Sequence, residues 1–329
     1  MLSMLSLDRC LRIVIPGGTG QVGNILARHF HETGHCVTVI GRHPKPAEWT
    51  VLRWNGQDLG SWTEAIDGSD VVINLAGRSV NCRYNAAHQR EIKNSRVLTT
   101  GLVGRAIRGA AKPPALWLNA STATIYRHSL DRPMDDLTGE LGGDEPDAPA
   151  KWRFSIDVAK SWEQAFFAAD TPHTRRVAMR SAMTMSPDEG GVFDVLLRLV
   201  RFGLGGKAGS GHQYVSWIHD VDFIRAVEFL ITHEELGGAV NLSSPCPVTN
   251  SSFMSCLRRA WCTSYIGLPS SKWMLAIGAV FLRTETELIL KSRRVVPRRL
   301  TDAGFEFHFP NWRGASQDLV HRWRELYGG

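Results

Sequence analysis

Short apolar and β-branched runs alternate with segments of helical periodicity along the first half of the chain. Val22, Leu26 and Phe30 recur at helical spacing, and Gly34 follows them as a natural C-terminal stop. The run at 70–75 is apolar almost throughout, which is typical of a strand covered on both faces. The predicted strands lie at 12–16, 37–40, 51–54, 70–75, 115–120 and 177–183. The predicted helices lie at 21–33, 62–66, 89–107 and 152–168.

This alternation predicts an α/β fold with a Rossmann-type, doubly wound parallel sheet. We place the nucleotide-binding domain at residues 11–183, with a last strand at 239–243 that returns to the sheet. Residues 184–329 then form a smaller, mostly helical substrate lobe over the carboxyl ends of the strands, where such sheets bind ligands. The stretch 129–149 is acidic and rich in proline and glycine, which indicates an exposed flap beside the site.

A glycine-rich turn joins the first predicted strand to the first helix, and its residues are Gly17, Gly18, Thr19, Gly20, Gln21, Val22 and Gly23. The spacing of Gly17, Gly20 and Gly23 is that of a dinucleotide turn, in which glycine permits close backbone approach. The helix N-terminus that follows offers free N–H groups and a positive dipole end to a pyrophosphate. Without the Gly-Lys-Ser/Thr of a P-loop, the turn predicts dinucleotide binding and not ATP hydrolysis.

Gly41 and Arg42 follow the second predicted strand. Enzymes that prefer NAD usually place Asp or Glu here to hold the ribose 2′-hydroxyl, whereas Arg suits a 2′-phosphate. The first acidic residue after this strand is Glu48. The predicted cofactor is therefore NADP(H); the alternative for Arg42 is a solvent-facing loop residue.

Composition narrows the class of protein. The 329 residues are 43% hydrophobic and 21% charged, and the net charge of +6 is too modest to indicate a nucleic-acid binder. The longest apolar run, 273–282, is about half the length that spans a bilayer and predicts a buried helix. With no signal-like N-terminus, we expect a cytoplasmic protein. The six cysteines show no C-x-x-C spacing, and we expect them to be reduced thiols in the core.

Two further patterns were weighed as sites. Residues 291–299 are basic, and we expect them to be solvated or internally paired, with contact to a phosphate or partner as the alternative. His31 and His35 flank a match to the H-E-x-x-H zinc pattern, which needs both imidazoles on one helix face. Because Gly34 ends the predicted helix before His35, we predict no metal site there.

Four motifs resemble the extended short-chain dehydrogenase/reductases: GGTGQVG (17–23), VINLAG (72–77), STATIY (121–126) and SWIHDVD (216–222). More narrowly, the chain is similar to a branch described as NAD-dependent epimerases/dehydratases, some members as cell-division inhibitors, with its own C-terminal extension. Gln89-x-Glu91 with Ser95-Arg96, GSGHQYVSWIHDVD (209–222) and SRRVVPRRLTDAGFEFHFP (292–310) carry that likeness.

The resemblance implies NADP(H) contacts beyond the glycine turn, and the residues are Gly41, Arg42, Leu75, Ala76, Glu91 and Arg96. From the residues alone, Leu75, Ala76 and Gly77 end the fourth predicted strand, where a small-residue backbone can approach the ribose. Glu91 and Arg96 are five residues apart on one helix, and a surface position is the alternative for each.

The family's catalytic pattern is a Ser or Thr that orients the substrate oxygen, a proton-transferring Tyr, and a Lys four residues later that lowers the pKa of the Tyr. The resemblance implies that Thr122 is the orienting hydroxyl and that Lys160 is the lysine. The position of the Tyr holds Ile156, which cannot carry a proton. Candidate substitutes are Tyr126, His219 and the acids of the flap.

Two hypotheses follow. The first is an NADP(H)-dependent oxidoreductase or epimerase of atypical active site, with an unidentified small molecule as substrate and Lys160 holding the ribose. The second is a non-catalytic NADP(H)-binding regulatory or interaction protein, linked to cell division as some family descriptions suggest. A homodimer through the two long helices is a family-level expectation. The side chains expected to line the pocket are Trp152, Arg180, Gln213, Tyr214 and Trp217.

Overall fold

The structure is a computed structural model that describes residues 7–146, 148–261 and 290–328. The apolar run at 273–282, predicted to be a buried helix, lies outside the described residues, as does Cys262. Across the ranges that are described, no helix has both the length and the hydropathy needed to cross a membrane.

Seven parallel strands form the central sheet, and they are Arg12–Pro16 (β1), Cys36–Gly41 (β2), Thr50–Arg53 (β3), Val71–Asn74 (β4), Leu116–Thr122 (β5), Arg175–Ser181 (β6) and Gly238–Leu242 (β10). Shorter strands elsewhere are Met183–Met185 (β7), Tyr214–Val215 (β8), Trp217–His219 (β9) and Val248–Thr249 (β11). The sheet order is β10-β6-β5-β4-β1-β2-β3. The order reverses between β1 and β4, which is the switch point where doubly wound sheets bind ligands. The predicted Rossmann fold is confirmed.

The α-helices of the described residues are Gln21–Glu32 (α1), Ala86–Gly109 (α2), Ala150–Phe167 (α3), Val192–Arg201 (α4), Asp220–Thr232 (α5), Asn250–Trp261 (α6), Arg298–Asp302 (α7) and Trp312–Tyr327 (α8). Successive strand residues face opposite sides of the sheet. Ile13 and Ile15 pack with α1 and α5, whereas Val14 packs with α2 and α3 on the other face. Both faces are covered, as the apolar β4 segment predicts.

Several element boundaries differ by one to three residues from the sequence-based expectation, and two of these differences have a clear cause. The sixth predicted strand was extended to Met183, but β6 ends at Ser181; the Ala182 N–H still bonds to the Leu242 carbonyl, and β7 then pairs with β9 outside the main sheet. No Gly or Pro marks this break in the sequence. The helix predicted from Gln89 begins at Ala86, because the Asn85 side chain accepts the His88 N–H and caps an earlier start.

The C-terminal lobe has its own apolar core, in which Phe193, Phe253 and Trp312 meet between α4, α6 and α8. Buried acids of the 216–222 motif tie this lobe to α5. Asp222 is fully buried and accepts the backbone N–H groups of His308 and Phe309, each at 2.8 Å. Carboxylates satisfied in this way are stabilising, whereas unpaired ones are costly to bury. The motif therefore fixes the last part of the chain against the Rossmann domain.

Candidate functional site

The glycine turn lies directly on the end of β4. The Gly17 N–H donates to the Ile40 carbonyl at 2.7 Å, and Gly17 has a φ of +77°. A Cβ atom added at Gly17 would lie 2.4 Å from the Ala76 Cα. A Cβ at Gly23 would lie 2.4 Å from the Gly18 Cα. Glycine is thus required here both by backbone conformation and by space.

The N-terminus of α1 offers a row of open donors. Among the described residues, no acceptor takes the backbone N–H groups of residues 19–23, and the N-cap residue Gly20 has no side chain to do so. The first N–H groups of a helix have no partner within the helix, and they carry its positive dipole end. The turn is therefore a cradle for a phosphate oxygen, and it fits the pyrophosphate of a dinucleotide.

Arg42 is exposed directly after β2, at the same edge of the sheet as the turn. It makes no ion pair within the part of the chain that the structure describes. Its neighbour Gly41 is held close to Thr19, since a Cβ at Gly41 would lie 2.4 Å from the Thr19 Cγ2. Arg53, which sequence reasoning did not single out, pairs with Gly41 in the strand register and is also exposed. Two cations therefore lie at the end of β2 and β3.

Arg96 packs against the end of β4. Its guanidinium lies 3.3 Å from a Cβ built at Gly77, donates to the Ile92 carbonyl at 2.9 Å, and lies 5.1 Å from the centre of the Trp162 ring. Burial lowers the pKa of Arg96 to about 10. No carboxylate of the described residues pairs with it. Because a partly buried cation without a counter-charge is costly, an anionic or polar ligand beside Gly77 would be a favourable partner.

Glu91 does not share a partner with Arg96. Its carboxylate forms an ion pair with Arg78, which follows Gly77 in the loop after β4. The two α2 residues carried over from the family pattern therefore act on the same loop, one through Arg78 and one directly. Leu75, Ala76 and Gly77 lie between them and the glycine turn.

Thr122 is the last residue of β5, and its Oγ1 accepts the Thr124 N–H at 3.2 Å. This leaves the hydroxyl proton of Thr122 available for a ligand oxygen. Lys160 lies on α3 and contacts Asp144 at 3.4 Å, but the Asp144 side chain is 92% exposed. Exposed pairs of this kind contribute little stability. Ala159, beside Lys160, and Ala123, which directly follows Thr122, belong to the same buried cluster, so α3 packs against the loop after Thr122.

Ile156 is buried beneath the flap. A Cβ at Gly142 would lie 2.9 Å from the Ile156 Cδ1, and one at Gly143 would lie 3.2 Å from its Cγ2. The Gly142 N–H bonds to the Ile125 carbonyl at 2.9 Å, which holds this turn over α3. A tyrosine ring at position 156 would need the space that the turn occupies. The isoleucine is therefore part of a packed layer and leaves no vacant tyrosine position.

The flap itself was expected to be exposed, and this was wrong in part. Met134 is fully buried, and Asp136 accepts the backbone N–H groups of Asn241 and Arg299. Burial raises the pKa of Asp136. An acidic sequence indicates an exposed segment, but the Asp136 carboxylate accepts backbone N–H groups and so holds the flap against β10 and α7.

A buried polar network lies under the Thr122 loop. Arg180 forms a bidentate pair with Glu163 at 2.7 and 2.8 Å, and Glu163 also accepts the Ser121 hydroxyl. The Arg180 Nη1 donates to the Tyr126 hydroxyl at 2.9 Å, which in turn donates to the Asn241 Oδ1 at 2.9 Å. Sequence reasoning missed Glu163, since its partners are distant in the chain.

The two named substitutes for the missing tyrosine are both buried in other contacts. Tyr126 is 1% exposed with its hydroxyl bonded twice, and burial raises the pKa of its phenol. His219 is fully buried and stacks on Phe309, with its Nε2 3.0 Å from Asp318. Burial lowers the pKa of His219, so its ring is neutral at pH 7. Neither side chain is placed to reach a ligand as the structure stands.

Some of the side chains expected to line the pocket are buried in other contacts, and others are partly exposed. Arg180 and Gln213 are buried, with the Gln213 amide donating to the Ala208 carbonyl, and Trp217 packs edge-on against Trp312. Trp152 and Tyr214 stay partly exposed. Trp152 stacks on the His128 ring.

The basic segment 291–299 comes back to the site from the end of the chain. The Lys291 Nζ donates to the Thr124 carbonyl at 2.8 Å, and the Arg293 Nε donates to the Thr124 Oγ1 at 3.2 Å. Arg299 donates to the carbonyls of Gly237 and Ala239. The segment is internally bonded, as expected, but it also brings two cations beside the loop that carries Thr122.

Comparisons with known proteins place these features in context. The sequence matches the NAD dependent epimerase/dehydratase family over residues 13–243, and a domain of unknown function, DUF1731, over residues 272–319. It is 33% identical to the epimerase family protein SDR39U1 of Bos taurus, over 94% of this chain and 100% of the relative. An epimerase family protein of Staphylococcus epidermidis is 30% identical, over 94% and 99% of the two chains.

Among solved structures, the chain is similar to human SDR39U1 isoform 2, whose crystal structure was determined with NADPH. The TM-score is 0.80 at 28% identity, covering 94% of this chain and 99% of that chain. The resemblance drawn from the motifs is confirmed.

The close contact at the glycine turn predicts unequal effects of alanine at two glycines. Gly17→Ala should lower the free energy of unfolding by about 2 kcal/mol or more, because Ala disfavours a positive φ and its Cβ would overlap Ala76. Gly20→Ala should leave the melting temperature nearly unchanged, since Gly20 has a φ of −84° and no heavy atom within 4 Å of the added Cβ. Thermal unfolding of both variants measures this; equal destabilisation would contradict it.

Burial of His219 predicts a dependence of stability on pH. The pKa of His219 is lowered from its usual 6.5, so below that pH the unfolded chain takes up a proton that the folded state resists. Stability should fall as the pH drops through 6.5, by at most about 1.4 kcal/mol per pH unit for this group. His219→Asn, which keeps an acceptor for the Val221 N–H, should show a shallower loss between pH 7 and 5 in denaturant titrations.

The matched control is His321→Asn, because His321 is exposed on α8. Its pH profile should follow that of the unaltered protein. An unchanged slope in His219→Asn would refute the assignment of the acid sensitivity to His219.

Proposed function

We propose that this chain, which belongs to the NAD-dependent epimerase/dehydratase family, is an NADP(H)-binding oxidoreductase or epimerase that acts on a small molecule through an atypical active site. The observation that carries the proposal is the row of open N–H groups at residues 19–23, where the turn fits a pyrophosphate. The crystal structure of human SDR39U1 with NADPH supports the same cofactor.

The preference for NADP(H) over NAD(H) rests on the end of β2. Arg42 and Arg53 are exposed there, and the nearest following acid, Glu48, is exposed in the loop between their strands. A 2′-phosphate would neutralise this edge, whereas a 2′-hydroxyl would leave it without a counter-charge. Arg96, against Gly77, is positioned for the part of the cofactor that lies beyond the turn.

The chemistry proposed for the chain's own residues begins with Thr122. Its hydroxyl proton is available to donate to a substrate oxygen, and Lys160, on the helix that packs against the same loop, would hold the nicotinamide ribose. A bound nicotinamide supplies hydride transfer. Lys291 and Arg293 add positive charge beside Thr124, which favours negative charge that develops on a substrate oxygen. In this scheme, electrostatic stabilisation takes over part of the role of the missing tyrosine.

One observation favours a second candidate function. Ile156 is packed under the Gly142–Gly143 turn, and the Tyr126 hydroxyl is bonded twice, so neither position supplies a free phenol to Thr122. A non-catalytic, NADP(H)-binding interaction protein would have no use for one. Such a protein would bind NADPH without turnover of any carbonyl substrate, and would bind its partner only with the cofactor present.

Loss of the Arg42 cation should weaken NADPH selectively. We expect Arg42→Ala to reduce NADPH affinity about 10- to 100-fold, since a charge-assisted bond is worth about 1.5–3 kcal/mol. NADH affinity should change less than about twofold, because NADH lacks the phosphate. Nicotinamide fluorescence with cofactor-stripped protein measures both constants.

The control is Arg105→Ala, which removes an exposed arginine from α2. It should leave both affinities as they are. If the unaltered protein bound neither NADPH nor NADH, the proposal that the glycine turn binds a dinucleotide would be wrong.

Substitutions of Thr122 test whether the site catalyses the reduction of a carbonyl substrate. In a screen of small carbonyl compounds monitored by NADPH absorbance, an enzyme should show substrate-dependent oxidation. Thr122→Val should then lower kcat/KM by about 100-fold or more, the usual cost of losing one donor to a developing oxyanion. NADPH affinity should stay the same, and Thr122→Ser should retain most activity. Tight NADPH binding with no NADPH oxidation across the screen would contradict the oxidoreductase, and inversion of a substrate stereocentre without net oxidation would then separate an epimerase from the interaction protein.

A further inference from the structure

Two thiols meet at the edge of the sheet opposite the cofactor site. Cys10 precedes β1 and Cys36 is the first residue of β2, and both are exposed. Their sulfur atoms lie 3.4 Å apart, in hydrogen-bond contact. Across the described ranges, no other pair of cysteine side chains is in such contact. The Cys36 N–H donates to the Leu11 carbonyl at 2.8 Å, which fixes the two segments side by side.

We propose that Cys10 and Cys36 form a reversible intramolecular disulfide by exchange with a small-molecule disulfide such as glutathione disulfide. A disulfide needs about 2.05 Å between its sulfurs, and so the thiols have to approach by roughly 1.4 Å. Rotation about the Cα–Cβ bonds of two exposed side chains supplies such a displacement without moving the strands. The backbone bond between Leu11 and Cys36 keeps the two residues within reach throughout.

The exchange balances without a further reactant. One protein thiolate attacks a sulfur of glutathione disulfide, breaks its S–S bond and releases one glutathione thiolate. The second protein thiolate attacks the resulting mixed disulfide and releases the second. The protein gives up two protons and two electrons, and two glutathione thiols carry them away. The hydrogen bond with Cys10 raises the pKa of the Cys36 thiol, so mildly alkaline buffer accelerates the reaction.

The cross-link would enclose a functional unit. The chain between Cys10 and Cys36 contains β1, the glycine turn and α1, which together form the phosphate cradle. Closing this loop restricts the unfolded chain and should oppose local opening of the unit. The link itself lies at the amino ends of the strands, about five residues or 16 Å of strand away from the turn. Cofactor affinity of the folded protein should therefore be unaffected.

The test uses the full chain, first reduced and then treated with excess glutathione disulfide. The intact mass should fall by about 2 Da, and peptide mapping should join Cys10 to Cys36. The melting temperature should rise by about 5 °C and return on reduction, as expected for a loop of this length. Cys10→Ser and Cys36→Ser should each abolish the shift, whereas Cys246→Ser, at another exposed cysteine, should retain it.

Several outcomes would overturn the inference. A stable glutathione adduct on Cys10 or Cys36 would show that the second thiol cannot resolve the mixed disulfide. Cross-links that involve other cysteines, or thiols that stay free under these conditions, would do the same. A melting-temperature shift that survives in both serine variants would assign the effect elsewhere.

Discussion

The backbone contact between Gly17 and Ala76 is the constraint on which the site depends. The carboxyl ends of β1 and β4 come together where the order of the sheet reverses, and no side chain fits between them. The contact aims the start of α1 into the crevice, with its N–H groups unbonded. It also places Gly77, and through it Arg96, beside the turn. The positive end of the helix dipole, the open N–H donors and a cation with no carboxylate partner among the described residues therefore lie together, because the backbones of Gly17 and Ala76 are in contact.

The other half of the site is built on buried charge. Glu163 and Arg180 are both less than one-tenth exposed. A buried ion pair is stabilising only when its remaining hydrogen-bond donors and acceptors are also bonded. Ser121 and Tyr126 supply those bonds, and they flank Thr122 in the chain. The network therefore holds the Thr122 loop rigidly from below. The Tyr126 hydroxyl accepts a hydrogen bond from Arg180 and donates one to Asn241, so it is not available to a ligand.

How much the sequence predicts depends on how local the cause is. The strand–helix alternation and the glycine turn are set by residues within a few positions, and both are found where expected. Arg42 could be proposed from the sequence because it directly follows the end of β2. The bonds from Lys291 and Arg293 to Thr124 join positions 167 and 169 residues apart, and nothing in the local pattern selects them. The exposure predicted for the flap was wrong in part for a related reason. Asp136 is buried because it accepts the backbone N–H groups of Asn241 and Arg299, which are distant in the chain.

Position 156 holds Ile and the Tyr126 hydroxyl is bonded to Arg180 and Asn241, and this changes what the cations can do in the proposed site. In the usual arrangement, the positive charge of the lysine acts on the proton-donating tyrosine and lowers its pKa. Here the Lys160 ammonium lies 3.4 Å from the exposed Asp144 carboxylate, and the 291–299 segment brings further positive charge to Thr124. Fixed cations stabilise an oxyanion as it forms, so a proton from water can arrive afterwards. A carbonyl reduction in such a site would depend on Thr122 and on the charge around it, and position 156 would be free to serve packing alone.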